Sequence, residues 1–202
     1  MKPELWDRVS DYLGRAISPG QRATLDLYRD WLEDEAIPGG GLGPEESDRL
    51  EHRHIADSLL FYSGWGDRQP PDAIWDLGSG VGLPGIPLAV LLPESEVLLV
   101  DRSGRRVDMA KRAVRVLGLH NVTVSQGDIH DLQGEAPMLV ARAVTSLAEL
   151  GPVIERHLQS GGRAVVGGSW MSPSRHLPAG WKVKEIPRHL LDRPVWLLIM
   201  RG

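Results

Sequence analysis

The amino-acid sequence predicts an α/β fold of the Rossmann-like kind, an open and mainly parallel sheet with helices on its faces, preceded by an N-terminal helical cap. Three observations predict it. From Ala73 onward, short apolar runs alternate with amphipathic stretches, which is the pattern of βαβ units. Ahead of Ala73 only helical periodicity is found. At the head of the alternating region, Ile74–Gly85 leads from a buried strand through four glycines into the apolar run Ile86–Leu92. A strand that turns into a helix with no side chains in the way lets a ligand touch the backbone. In open α/β sheets that turn is where cofactors bind.

The elements follow in order. Pro3 to Gly14 reads as an amphipathic helix with Leu5, Trp6, Val9, Tyr12 and Leu13 on one side. Ser18, Pro19 and Gln21 form a helix start, with Ser as the cap, Pro in the first turn and Gln three residues on. The second helix carries Leu25, Leu27, Tyr28, Trp31 and Leu32. It stops before Pro38–Pro44, a glycine-rich stretch that reads as a flexible connector. A third helix is expected from about Glu46 to Tyr62. Strands are expected at Ala73–Leu77, Glu96–Val100, Val122–Ser125, Met138–Ala141 and Arg163–Val166, with helices near Pro84–Leu92, Gly104–Leu117 and Leu147–His157 between them. Trp181–Ile186 and Val195–Met200 read as a final antiparallel pair.

At 202 residues the chain is expected to form one domain, 1–202, with residues 1–66 as the cap and 72–202 as the core. It has no cysteine, which excludes a disulfide framework and any thiolate metal site. No His/Cys cluster has metal-ligand spacing, and no metal is expected. No charged-then-apolar leader is read at the start, and no apolar run approaches the roughly 18 residues of a membrane span. A cytoplasmic protein without a membrane partner is therefore expected, and a monomer. The formal net charge of −4 excludes a generally basic nucleic-acid binder, so any RNA contact must come from a local patch.

Two cofactor fingerprints overlap in the glycine turn. Gly80, Gly82 and Gly85 fit the dinucleotide pattern, with Asp101 near the expected distance of about 20 residues. Asp76, Gly78, Gly80 and Gly82 fit the pattern of S-adenosylmethionine (SAM) enzymes. Asp76 favours the second, because a carboxylate beside a pyrophosphate meets like charge, whereas the methionine end of SAM carries an ammonium and a sulfonium. Asp76 can also serve only to cap the following helix.

The block Asp76–Ala89, with its Leu83-Pro84-Gly85-Ile86-Pro87 continuation, resembles the glucose-inhibited division protein B family, bacterial methyltransferases acting on N7 of a guanine in 16S rRNA. Arg53–Leu59 upstream, Asp101–Val107 downstream and Ala141-Arg142-Ala143 agree in order, so the likeness spans about residues 45–170. It implies a seven-stranded SAM-dependent methyltransferase fold, SAM as cofactor, and 16S rRNA or the small ribosomal subunit as partner.

On that reading Asp76, Gly78, Gly80, Gly82 and Leu83 border the cofactor. Asp101, ending the second strand, can accept from the ribose hydroxyls or cap the next helix. Asp128, Ile129 and His130, after the third strand, fall where the adenine sits. An acid more often stands in place of His130 in the family. Arg142, ending the fourth strand, is where many methyltransferases face the substrate, and a guanidinium there can hold a carboxylate, a phosphate or guanine O6. It is the catalytic candidate, and it can alternatively grip the cofactor or form a structural ion pair. Arg105, Arg106, Lys111, Arg112 and Arg115 read as a solvated helix face or a phosphate-contacting patch, which Arg53 and His54 can extend. His54 otherwise reads as a packing histidine.

One departure stands out. After the fifth strand the family usually has a Lys-Gly pair, and this chain reads Val166-Gly167-Gly168-Ser169. The missing cation motivates a non-catalytic SAM- or RNA-binding alternative, and the dinucleotide pattern motivates an NAD-dependent oxidoreductase.

Overall fold

The computed structural model describes residues 3–66, 68–167, 177, 179–191 and 195–201. Seven strands form one sheet: β1 (Ala73–Leu77), β2 (Glu96–Asp101), β3 (Val122–Gln126), β4 (Ala136–Arg142), β5 (Leu158–Gly167), β6 (Trp181–Ile186) and β7 (Val195–Arg201), in the order β3-β2-β1-β4-β5-β7-β6. The first five run parallel, and β7 lies antiparallel between β5 and β6. From β1 the chain winds outward through β2 to β3, then returns to lay β4 on the other side of β1. The order therefore reverses between β1 and β4, which opens a crevice at their carboxyl ends.

Three helices connect strands of the sheet. They are α4 (Gly85–Leu91), α5 (Gly104–Leu117) and α6 (Leu147–His157). Every residue of α4 is buried, which explains its unbroken apolar sequence. The N-terminal helices α1 (Pro3–Leu13) and α2 (Pro19–Trp31) share one apolar cluster with α4, α5 and the near face of the sheet, where Leu5, Trp6, Leu25 and Tyr28 meet Ile86, Leu88 and Leu99. The opposite face packs Leu77, Val100, Leu139 and Ala164 against Leu150, Val153 and Ile154 of α6. Helix α2 starts as the sequence suggested: the Gln21 N–H donates to Ser18 Oγ (3.3 Å), and the Ser18 N–H donates to Gln21 Oε1 (2.9 Å).

Three expectations change. The third helix is not regular: it winds as 3₁₀ over Pro44–Arg49, as π over Leu50–Ala56, as α3 over Asp57–Leu60, and as 3₁₀ again over Phe61–Gly64. Strand β5 begins at Leu158, directly after α6, well ahead of Arg163. The glycine-rich connector is packed rather than loose. N–H groups of Gly39, Gly40 and Gly41 donate to the carbonyls of Glu35, Ile37 and Ala36. A Cβ on Gly41 would lie 2.4 Å from Val81 and 2.9 Å from Met109, so these glycines let the connector press against the glycine turn and α5.

Candidate active site

The crevice holds two adjoining cavities. The larger, about 680 Å³, lies between the turn after β1, the end of β4 and the irregular third helix. The smaller, about 350 Å³, lies beyond β2 and β3. Gly78, Arg106 and Ala143 line both, so the cavities meet there.

The glycine turn is built for backbone exposure. Gly78 has φ +72° and Gly80 φ +59°, conformations that L side chains rarely adopt. A Cβ on Gly78 would stand 2.7 Å from the methyls of Val144, whereas Gly80 faces open space. Buried Tyr28 on α2 secures the turn by donating its hydroxyl to the Val81 carbonyl (3.0 Å).

Gly78, Gly80 and Leu83 reach a cavity wall, but Asp76 and Gly82 do not. Gly82 (φ +110°) turns toward the interior, where a Cβ would meet Ile86 at 2.4 Å and Tyr28 at 3.2 Å. Asp76 is wholly buried, and its Oδ2 accepts the Gly85 N–H at the start of α4 (2.7 Å). Of the two roles expected from the sequence, the structure shows the bond of the second, to the start of the following helix. Burial pushes its carboxyl up to about 7, against the lowering effect of the Gly85 bond and Arg142. Asp76 Oδ1 and the neighbouring Ser79 Oγ are buried without hydrogen-bond partners.

In the smaller cavity Asp101 is buried, and its oxygens accept the N–H groups of Gly80 (2.9 Å) and Ser103 (2.8 Å), with Arg106 3.6 Å away. The carboxylate thus ties the turn after β1 to the start of α5, and it still lines the cavity. Asp128 Oδ1 accepts the His130 N–H (3.0 Å), which folds the loop so that Asp128, Ile129 and His130 all reach the wall. Thr145 and Glu149, hydrogen-bonded to each other, close the other side.

Arg142 stands on the wall of the larger cavity, opposite Gly167 in the β4–β5 register. The Arg53–Leu59 and Ala141–Ala143 motifs meet through it. Its Nη1 donates to the Arg53 carbonyl (3.2 Å) and lies 3.6 Å from Asp57, and its Nη2 is 3.4 Å from His54 Nδ1. His54 Nε2 is 2.8 Å from Glu46 Oε2. Burial, then the Arg142 charge, pulls His54 down to about 4, so its contact with Glu46 is a hydrogen bond from a neutral ring and not an ion pair. The next residue, Ala143, has φ +52°, a left-handed conformation for a residue with a Cβ. Such strain concentrates at ligand clamps. The sequence marked Ala143 only as part of the Ala141–Ala143 stretch, and it did not mark Asp57 and Ser58 as partners of Arg142 or Glu46 as the partner of His54.

The basic candidates separate. Arg53 and Arg106 line the larger cavity with Arg49 and His52. Arg112 faces Glu35 (3.5 Å), and the guanidinium of Arg105 lies against Gly40. These two therefore face Glu35 and Gly40 and line neither cavity. At the departure from the family pattern, a Cβ on Gly167 would lie 2.4 Å from the Phe61 ring, so this chain has no room for a longer side chain there. Gly168 and Ser169 lie outside the described residues. Among the described residues no helix is long and apolar enough to cross a membrane, and no three His, Cys, Asp or Glu side chains gather as a metal site.

Comparison with known proteins agrees with this architecture. The family model of rRNA small subunit methyltransferase G (GidB) matches residues 21–169. Over 136 residues the chain is 38% identical to a ribosomal RNA small subunit methyltransferase G of Acidothermus cellulolyticus, covering 67% of this chain and 60% of that protein. Over 144 residues it is 38% identical to the protein of the same name from Mycolicibacterium smegmatis, covering 68% and 59%. The matched stretch thus spans about three fifths of these relatives' length. Among solved structures, a precorrin-6y C5,15-methyltransferase from Geobacter metallireducens superposes with a TM-score of 0.55 at 14% identity, covering 71% of this chain and 86% of that one. TrmN from Thermus thermophilus gives 0.54 at 20%, covering 72% and 49%. At these identities they speak for the fold alone.

Proposed function

The chain belongs to the rRNA small subunit methyltransferase G family, and from that premise we propose that it transfers the methyl group of SAM to N7 of a guanine in 16S rRNA. The observation that carries the reading is the junction of two cavities at Gly78, Arg106 and Ala143, with Arg142 on the wall of the larger.

The residues present suit SAM. Asp101 and the Asp128–His130 loop offer a buried acceptor and an apolar wall for a nucleoside in the smaller cavity. Ser79 Oγ, unpartnered and on the wall of the larger cavity, offers polar capacity in the glycine turn for the charged methionine end. The oxidoreductase alternative loses the support of the family. When bound, SAM supplies a methyl carbon whose bond to sulfur breaks as guanine N7 donates its lone pair, giving a thioether and a cationic 7-methylguanine.

N7 already has a free lone pair, so this chain needs no general base. Its residues have to align and to exclude water. Arg142 holds the edge of the guanine or a neighbouring phosphate, and Ala143 fixes the wall where the cavities meet. Arg49, Arg53 and Arg106 gather round the larger cavity although the chain's formal net charge is −4, the local patch that phosphate contacts require. A guanine paired in an A-form helix keeps N7 in a deep, narrow groove, so it is presented from a loop or splayed out. The protein acts as a monomer in the cytoplasm on the small subunit or its naked rRNA.

The test is transfer of labelled methyl from SAM into 16S rRNA and into small subunits from a strain lacking the enzyme. Strand scission selective for 7-methylguanine should then map one position. Label in no RNA, or at another atom, would overturn the reading. Stoichiometric SAM binding with no transfer would favour the non-catalytic alternative.

A further inference from the structure

We propose that His54 is a positioning residue for Arg142: a neutral imidazole, protonated on Nε2, that accepts from the guanidinium through Nδ1 and donates its own N–H to Glu46. The inference rests on the reading above only in that Arg142 faces the substrate. The tautomer follows from what each neighbour can do. A guanidinium has five donors and no acceptor, so His54 Nδ1, 3.4 Å from Arg142 Nη2, must present its lone pair. The proton of the neutral ring is then on Nε2, which lies 2.8 Å from a carboxylate oxygen of Glu46.

Glu46 is itself held. Burial favours its neutral form, but the His54 bond and Arg53, 3.4 Å away, keep it below the usual carboxylate range. The ring is buried between these two anchors, so it has little room to turn. On the other side of the guanidinium, Nη1 donates to the Arg53 carbonyl (3.2 Å) and faces Asp57. Both terminal nitrogens of Arg142 are therefore fixed to the irregular helix, and the direction of its remaining donors is set before any substrate arrives. Losing the His54 contact frees one side of the fork. That misorients the group without removing it.

The wild-type protein tests the tautomer directly, by nitrogen–proton correlation spectroscopy of the imidazole near pH 7. A neutral ring carrying its proton on Nε2 is expected. A proton on Nδ1, or a doubly protonated ring, would overturn the proposal. Two variants test the consequence, with folding checked by thermal denaturation and SAM affinity by calorimetry. His54→Leu should lower single-turnover methyl transfer at saturating SAM by about tenfold or more while SAM affinity stays within about twofold. His54→Gln, which keeps one acceptor and one donor, should recover most of that rate. A folded leucine variant at the wild-type rate, or a folded glutamine variant as slow as the leucine one, would refute the role. If the wild type itself transfers no methyl, the proposed function fails instead, and the imidazole spectrum still decides the tautomer.

Discussion

Arg142 meets Arg53 through the backbone: its Nη1 donates to the Arg53 carbonyl at 3.2 Å. In a regular α-helix that carbonyl would accept from the N–H four residues on, at Asp57. Here the Asp57 N–H reaches instead to the carbonyls of His52 and His54, because Leu50–Ala56 is wound as a π-helix. The Arg53 carbonyl, which the Asp57 N–H does not take, accepts from the guanidinium. A π turn of this kind often marks a functional site, and its use here is concrete: it gives the irregular third helix a socket for the residue at the end of β4.

The glycine turn makes the simplest prediction. Gly78→Ala and Gly80→Ala both force a Cβ onto a left-handed backbone, at a cost of about 1 kcal/mol each. Gly78→Ala also drives that Cβ to within 2.7 Å of Val144, whereas at Gly80 it meets nothing within 4 Å. Thermal denaturation should therefore show Gly78→Ala as the more destabilised, and calorimetry should show SAM weakened in both. Equal melting temperatures would mean that the Val144 loop gives way without cost.

Asp101→Asn should destabilise the protein even without ligand. Its two oxygens accept from Gly80 at 2.9 Å and Ser103 at 2.8 Å, and an amide can satisfy only one of these donors. Leaving the other N–H unmet costs about 1–3 kcal/mol. Denaturant unfolding of the ligand-free variant measures this. Unchanged stability with lost SAM affinity would make Asp101 purely a ligand for the ribose.

These two sites also show how far the sequence could be read. Local signals carried well: the glycines and the strand-end acids mark the crevice because backbone angle and chain reversal are written in residue type. Helix α5 runs Gly104–Leu117, as its periodicity indicated. What sequence could not carry was long-range. Asp76 was read as facing a ligand or capping the next helix, and nothing local says which: its carboxylate bends back to the Gly85 N–H at the start of α4. The π winding of Leu50–Ala56 has no compositional mark, and the partner of its Arg53 carbonyl, Arg142, lies 89 positions away. The tri-glycine connector looked loose because its reason, close approach to Met109 and Val81, lies in other elements.

Stability should carry two opposed proton linkages. Asp76 titrates near 7 in the folded protein, above the ordinary 3.8, so its contribution is fully present below about pH 4 and is lost as pH rises toward 7. His54 titrates near 4, below the ordinary 6.5, so its contribution is present above 6.5 and is lost as pH falls toward 4. Between those limits the slopes have opposite signs, each up to about 1.4 kcal/mol per pH unit, and they largely cancel. Asp76→Asn should therefore make the melting temperature rise more steeply with pH than in the wild type, and His54→Gln should make it fall. Difference curves that stay flat from pH 4 to 6.5 would show that neither group is perturbed by burial.

The last prediction concerns Arg142 itself. Arg142→Ala removes a guanidinium held by the Arg53 carbonyl, His54 and Asp57, and it opens the wall where the larger cavity meets β4. If the group positions the guanine or an adjoining phosphate, single-turnover methyl transfer at saturating SAM should fall by about two orders of magnitude, the scale of a misplaced reacting group. SAM affinity should change far less. Arg142→Lys should recover little, because one ammonium cannot donate at once to a carbonyl on one side and an imidazole on the other in the geometry of a planar fork. If Arg142 instead grips the carboxylate of SAM, affinity and rate should fall together across both variants. A wild-type rate for the folded alanine variant would remove Arg142 from the substrate side and leave it as a strut between the third helix and the sheet.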